Sequence, residues 1–216
     1  MTVWIDSILA VLVLTSLMLL GSSRLTACIR FAAIQGIVLG FLPFFAHDHF
    51  TWRTFVLAGA GIGLRGVAFP ALLNRALRDA EVRREMEPFI GYTLSLLLAV
   101  LLLGASLWIG RRLPIPGGVA SDLLVPVAFH TILVGLLLII SRRKALTQVL
   151  GYLVIENGIF AFGVSLAQEA PLIVELGVLL DVFVAVFVMG IIIFHINREF
   201  DHIDVDRLSA LKDWHE

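Results

Sequence analysis

Long apolar stretches recur along this chain, and each is long enough to cross a lipid bilayer as an α-helix. A transmembrane helix needs about 20 mostly apolar residues, at a rise of about 1.5 Å per residue. A soluble domain with 59% hydrophobic and only 15% charged residues would expose too much apolar surface. The sequence therefore predicts an all-α polytopic membrane protein with seven transmembrane helices. The predicted spans cover residues 3–21, 29–46, 54–74, 90–110, 122–141, 146–168 and 172–195.

The basic residues between these spans predict how the chain is oriented. Nine basic residues follow the odd-numbered spans: Arg24, Arg75, Arg78, Arg83, Arg84, Arg142, Arg143, Lys144 and Arg198. Three lie on the opposite side: Arg53, Arg111 and Arg112. Because lysine and arginine accumulate in cytoplasmic loops, this asymmetry predicts an N-terminus outside and a C-terminus in the cytoplasm.

Five of the ionisable side chains inside the predicted spans are candidates for function: Arg65, His130, Glu156, Glu175 and Asp181. Glu156 and Asp181 each fall near the middle of one of the last two spans, where an ionised acid costs roughly 2.5–3.5 kcal/mol. Carboxylates and histidine can take up and release protons, whereas arginine stays charged. A row of such groups at similar depth predicts a lateral path for protons or other ions.

Each of these side chains also has a structural interpretation. Glu156 could be an acid that bridges to Arg65, and Arg65 could be either a counter-ion or a modulator of a carboxylate pKa. Asp181 could likewise be structural, but the depth of the two acids favours function. His130 is more typical of an interhelical hydrogen bond, and Glu175 lies close enough to the outer end of its span to be hydrated.

Pairs of glycines four residues apart predict close helix packing. Gly36 and Gly40 form such a pair in the second span, and Gly59 and Gly63 form another in the third. The first, second and fourth spans carry almost no charge in their apolar cores, which predicts a packing and lipid-facing role for them.

Several kinds of site are not expected in this chain. The single cysteine, Cys28, excludes an internal disulfide and any cysteine-based iron–sulfur site. The glycine-rich run before Arg65 follows no strand, so it does not predict nucleotide binding. We find no ligand set for nickel or flavin, and the net charge of −1 gives no reason to expect a nucleic-acid partner. The sequence therefore predicts no cofactor.

Three segments carry a family resemblance: LTQVLGYLVIENGIF, APLIVELGVLLDVFVAVFVMGII and IDVDRLSALKD. Together they resemble the membrane component E of hydrogenase-4-type (formate hydrogenlyase-like) complexes. The last three spans also resemble the K-type subunit of respiratory complex I and the C-type subunit of multisubunit cation/proton antiporters. On this basis residues 1–110 are a four-helix membrane scaffold, residues 111–197 a three-helix K-type-like unit, and residues 198–216 a cytoplasmic amphipathic tail.

The resemblance implies a subunit of a large complex in the inner (cytoplasmic) membrane. Its implied partners are the lipid bilayer and the antiporter-like and H-type membrane subunits, with peripheral hydrogenase and iron–sulfur subunits contacted indirectly. Glu156 matches a glutamate on the second K-type helix, and Asp181 stands where the third helix of the relatives has a glutamate. The implied role is proton or sodium translocation coupled to redox chemistry in other subunits. A structural adaptor is the alternative, and the absence of an inverted repeat disfavours an independent transporter.

Overall fold

A computed structural model describes residues 2–46, 52–79, 89–113, 121–142 and 145–166. These residues form helices and connecting turns, with no β-strand among them. The helices are α1 (Thr2–Gly21), α2 (Leu25–Gly40), α3 (Leu42–Ala46), α4 (Trp52–Gly61), a π-helix (Ile62–Ala68), α5 (Phe69–Asp79), α6 (Tyr92–Gly110), α7 (Leu124–Ser141) and α8 (Ala145–Leu166).

Five helical segments in the described part of the chain are long and apolar enough to cross a membrane. They are Thr2–Gly21, Leu25–Phe45, Tyr92–Gly110, Leu124–Ser141 and Leu146–Val164. They correspond to the first, second, fourth, fifth and sixth predicted spans, so the prediction of a multi-pass all-α membrane protein is confirmed. The seventh predicted span and the tail lie outside the described residues, and the total of seven spans stays a prediction.

The third predicted span is a helix of mixed type. It consists of α4, the π-helix and α5, which follow one another without a gap. The amide of Phe69 donates to the carbonyl of Leu64, five residues earlier, as a π-helix requires. The local sequence disfavours regular α-helical hydrogen bonding between residues four apart. Four glycines lie in the stretch from Gly59 to Gly66, and Pro70 has no amide hydrogen to donate.

Glycines allow the π-helix to approach α2 closely. A Cβ atom on Gly36 would lie 2.6 Å from the carbonyl carbon of Arg65, and one on Gly40 would overlap the side chain of Ile62. The predicted packing role of this first pair is therefore confirmed. The second pair, Gly59 and Gly63, does not pack on α2, since no described atom lies within 4 Å of either Cβ position. Close packing by this second pair stays a prediction.

Arg142 joins three helix ends at one end of the bundle. It is only 1% exposed, and its Nη2 and Nη1 atoms donate to the carbonyls of Leu20, at 2.9 Å, and Ile90, at 3.4 Å. Its guanidinium also lies 4.7 Å from the centre of the Tyr92 ring. Burial lowers the pKa of this guanidinium below its ordinary value. Arg142 thus lies in the predicted connection after the fifth span, but its side chain is a buried structural cation.

The opposite end of the bundle holds the start of α1. The Ser121 hydroxyl, just before α7, donates to the Asp6 carboxylate at 2.6 Å, and the Trp4 ring stacks on Phe45 with the ring centres 6.2 Å apart. The start of α1 therefore lies beside the start of α7 and the end of α3. The first and fifth predicted spans therefore begin at the same end of the bundle, and the second span ends there, as expected for spans that cross the membrane in alternating directions. The side of the membrane on which each end lies stays a prediction.

Candidate functional site in the centre of the bundle

Glu156 lies half-way along α8 and is 4% exposed. Helical geometry places Leu153 and Phe160 on the same face of α8, one turn before and one turn after it. Gly158, two residues after Glu156, packs on α7, because a Cβ atom there would lie 2.6 Å from the side chain of Ile132. Close packing against α7 therefore fixes the rotation of α8 and keeps Glu156 inside the protein.

Arg65 extends from the π-helix to the face of α8 that carries Glu156. The side chain is 5% exposed, and its guanidinium carbon lies 4.1 Å from the centre of the Phe160 ring. A cation over an aromatic face stabilises the arrangement by about 2 kcal/mol where both groups are desolvated. Phe160 follows Glu156 by one helical turn. The guanidinium of Arg65 therefore lies on the face of α8 that carries Glu156.

A buried chain of hydrogen bonds runs beside these two charges. The Nδ2 atom of Asn157 donates to Oε1 of Gln35 at 3.4 Å. The Nε2 atom of Gln35 in turn donates to the Ser16 hydroxyl at 2.9 Å and to the Leu12 carbonyl at 3.4 Å. Gln35, Ser16 and Asn157 are all at most 3% exposed, so this chain connects α1, α2 and α8 inside the bundle.

The sequence did not predict these hydrogen bonds, because the first two spans carry almost no charge and were expected to serve packing and lipid contact. One signal could have found it: Gln35 is a lone amide half-way along an apolar span, beside a glycine that permits close approach. A buried amide in a membrane helix needs hydrogen-bond partners on neighbouring helices. Ser16 and Asn157 provide them.

A small cavity of about 10 Å³ is lined by Arg65 and Asn157. The rest of its lining is apolar and comes from α2, α5 and α8: Ile29, Ala32, Phe69, Pro70, Leu73 and Leu153. The site therefore combines a buried acid, a buried cation and two buried amides, set in an apolar wall. Such groups can hold and pass positive charge, and they can equally join helices.

The other predicted site residues lie apart from this group or outside the described residues. His130 is completely buried in α7, and its ring forms no hydrogen bond with any residue that the structure describes. Its predicted interhelical hydrogen bond stays a prediction. Asp181 and Glu175 fall outside the described residues, so their roles stay predictions as well. Within the described ranges, no group of three or more His, Cys, Asp or Glu side chains could hold a metal ion.

The chain has relatives over nearly its whole length. It is 35% identical over 205 residues to an uncharacterized protein of Mycobacterium tuberculosis, covering 94% of this chain and 93% of the relative. It is 27% identical over 209 residues to hydrogenase-4 component E of Escherichia coli K12, covering 96% and 97%, and the Shigella flexneri component E gives the same figures.

The C-terminal part of the chain also matches a family model. Residues 123–213 match NADH-ubiquinone/plastoquinone oxidoreductase chain 4L. No solved structure matches the chain significantly. The matched region includes His130, Glu156, Glu175 and Asp181, whereas Arg65 and Gln35 lie in the part that only the full-length relatives cover.

Proposed function

Since this chain belongs to the family of hydrogenase-4 component E, we propose that it is a membrane subunit of a complex-I-related hydrogenase complex and contributes to its ion path. In this proposal the redox reaction takes place in partner subunits. Buried charged residues of this chain pass protons, or sodium ions, along the membrane arm. The complex lies in the inner (cytoplasmic) membrane, where antiporter-like and H-type subunits are its neighbours.

The observation that carries the proposal is the burial of Glu156 half-way along α8, on the face that Arg65 reaches. A carboxyl group at that depth is expensive in hydrocarbon and is typical of proton or ion pathways. A nearby cation favours the ionised form of the acid, so the acid can release a proton that it has received. Asp181 is the proposed next acid along the path, with His130 and Glu175 as further proposed members.

Co-purification from native membranes tests whether the chain is a subunit of such a complex. We expect an affinity tag on this chain to recover antiporter-like and H-type membrane subunits together with hydrogenase and iron–sulfur subunits, identified by mass spectrometry. The control is the same extraction from cells that carry the untagged chain. Recovery of the tagged chain alone, from membranes in which the hydrogenase subunits are present, would contradict the proposal.

The structural adaptor is the second candidate, and one observation favours it. The contact between Arg65 and Phe160 and the hydrogen bond between Asn157 and Gln35 each join different helices. Such contacts would hold a scaffold together even if no ion passed.

Replacing both buried charges separates the two candidates. In the double variant Arg65→Met, Glu156→Gln we expect an assembled complex that still turns over hydrogen but no longer acidifies or alkalinises membrane vesicles. The reason is that both replacements preserve volume while removing the exchangeable proton and its counter-charge. Assembly is measured by native gel electrophoresis of the solubilised complex. Full ion translocation by the double variant would favour the adaptor.

A further inference from the structure

The hydrogen-bonded chain between α1, α2 and α8 has a defined direction. The carbonyl of Leu12 can only accept a hydrogen bond, so the Gln35 atom that faces it must be Nε2, a donor. The other atom of that amide, Oε1, therefore faces Asn157 and requires a donor there, which is Nδ2. One backbone carbonyl thus sets the orientation of both buried amides.

This direction decides which atom of Asn157 remains for other contacts. An amide group is planar, so Oδ1 points away from Nδ2 and away from Gln35. Asn157 and Arg65 both line one cavity. The cavity is therefore bounded by two residues with complementary polar groups, an amide whose oxygen accepts hydrogen bonds and a guanidinium, which can only donate.

We propose that one water molecule binds in this cavity between Arg65 and Asn157, and that Gln35 is the positioning residue that turns the Asn157 carbonyl oxygen toward it. The size fits, because a volume of about 10 Å³ is close to the minimum for a single water. The chemistry fits as well: the water accepts from Arg65 and donates to Oδ1 of Asn157. The remaining lining residues are apolar and would exclude a hydrated ion.

The consequence for ion translocation rests on the function proposed above. The water connects the guanidinium of Arg65 to the amide chain, so the cation has a fixed place on the face of α8 that carries Glu156. Loss of Gln35 would leave Asn157 free to rotate, and loss of the water would break the link between Arg65 and the amides. Either change would displace the Arg65 guanidinium, the proposed counter-charge of Glu156, while Glu156 itself stays unaltered.

The direct test is a cryo-EM map of the intact complex at a resolution that shows ordered water. We expect density for one water within hydrogen-bond distance of the Arg65 guanidinium and Asn157 Oδ1. An empty or apolar-filled cavity, in a map that resolves other buried waters of the membrane arm, would overturn the proposal.

The functional test uses one variant of the cavity wall, one of Gln35 and a control on α2. Ala32→Val fills the cavity without removing a polar group, and Ala33→Val makes the same change at a half-buried position of α2 that does not line the cavity, so it is the matched control. We expect Ala32→Val and Gln35→Leu each to lower the rate of ion translocation per hydrogen turned over about tenfold, as loss of one buried hydrogen bond would. The Ala33→Val rate should stay unchanged.

Combining the changes distinguishes a shared water from general damage. Because both act on the same water, the double variant Gln35→Leu, Ala32→Val should be no slower than the slower single variant. Additive losses would overturn the proposal. Normal translocation in both single variants would also overturn it, even if Glu156→Gln abolished translocation. Normal translocation in Glu156→Gln would instead contradict the proposed function itself.

Discussion

Replacing Glu156 with glutamine is expected to slow ion translocation severely while hydrogen turnover continues. Glutamine preserves the shape and hydrogen-bonding capacity of the side chain but cannot be ionised. If Glu156 hands on a proton, its loss should slow translocation by about 100-fold, the lower end for a positioned acid–base group. The measurement is the pH change, or sodium uptake, of inverted membrane vesicles during hydrogen turnover, with hydrogen followed in the same sample.

The matched control for this variant is Asp122→Asn. Asp122 is an exposed carboxylate just before α7, so the same chemical change is made away from the buried site. We expect its translocation to equal that of the unaltered chain. Unimpaired translocation in Glu156→Gln would remove Glu156 from the path. Equal loss in both variants would point to a general effect of neutralising an acid in this chain.

Length and hydropathy were sufficient to predict the five membrane-length helices that the structure describes. The helices α1, α6 and α7 are apolar on all sides. Such a helix either spans a membrane or is buried on every side in a large soluble protein, and 216 residues are too few to bury several helices in that way. The π-helix could not be predicted in the same way. Its hydrogen bonding depends on how the glycines around Arg65 pack on α2, and that packing is a tertiary property.

Only the charged residues of the candidate site could be predicted from the sequence. Arg65 and Glu156 could be selected because an ionisable group inside an apolar span is unusual. Gln35 carries no charge, and whether it faces lipid or protein depends on the rotation of α2. Arg142 does lie in the predicted connection, between α7 and α8, but its burial could not be predicted, because it depends on two backbone carbonyls and an aromatic ring that only the tertiary structure brings to it.

Replacing Gly151 with valine is expected to separate α7 from α8 and destabilise the protein. A Cβ atom on Gly151 would lie 2.8 Å from the carbonyl oxygen of Gly135 and 2.7 Å from the side chain of Ile139. The first of these contacts is with backbone, so a change of rotamer cannot relieve it. Overpacking of this kind costs about 3 kcal/mol, which lowers the melting temperature of the purified chain by roughly 10 °C.

The displacement of α8 caused by Gly151→Val should also alter the candidate site. Glu156 and Asn157 lie on α8 between Gly151 and the end of the helix, and Gly158 packs on α7 as tightly as Gly151 does. If α8 moves away from α7, the hydrogen bond from Asn157 to Gln35 cannot keep its geometry. We therefore expect Gly151→Val to lose ion translocation together with stability, whereas Glu156→Gln should lose translocation alone.

Gly104→Val is the control for this prediction. Gly104 lies within α6, is exposed, and has no described atom within 4 Å of its Cβ position. Both substitutions raise helix propensity by a similar few tenths of a kcal/mol, so the difference between them isolates the steric contact. We expect the melting temperature of Gly104→Val to stay close to that of the unaltered chain. Equal melting temperatures for the two variants would mean that α7 and α8 are not held together by close approach at their glycines.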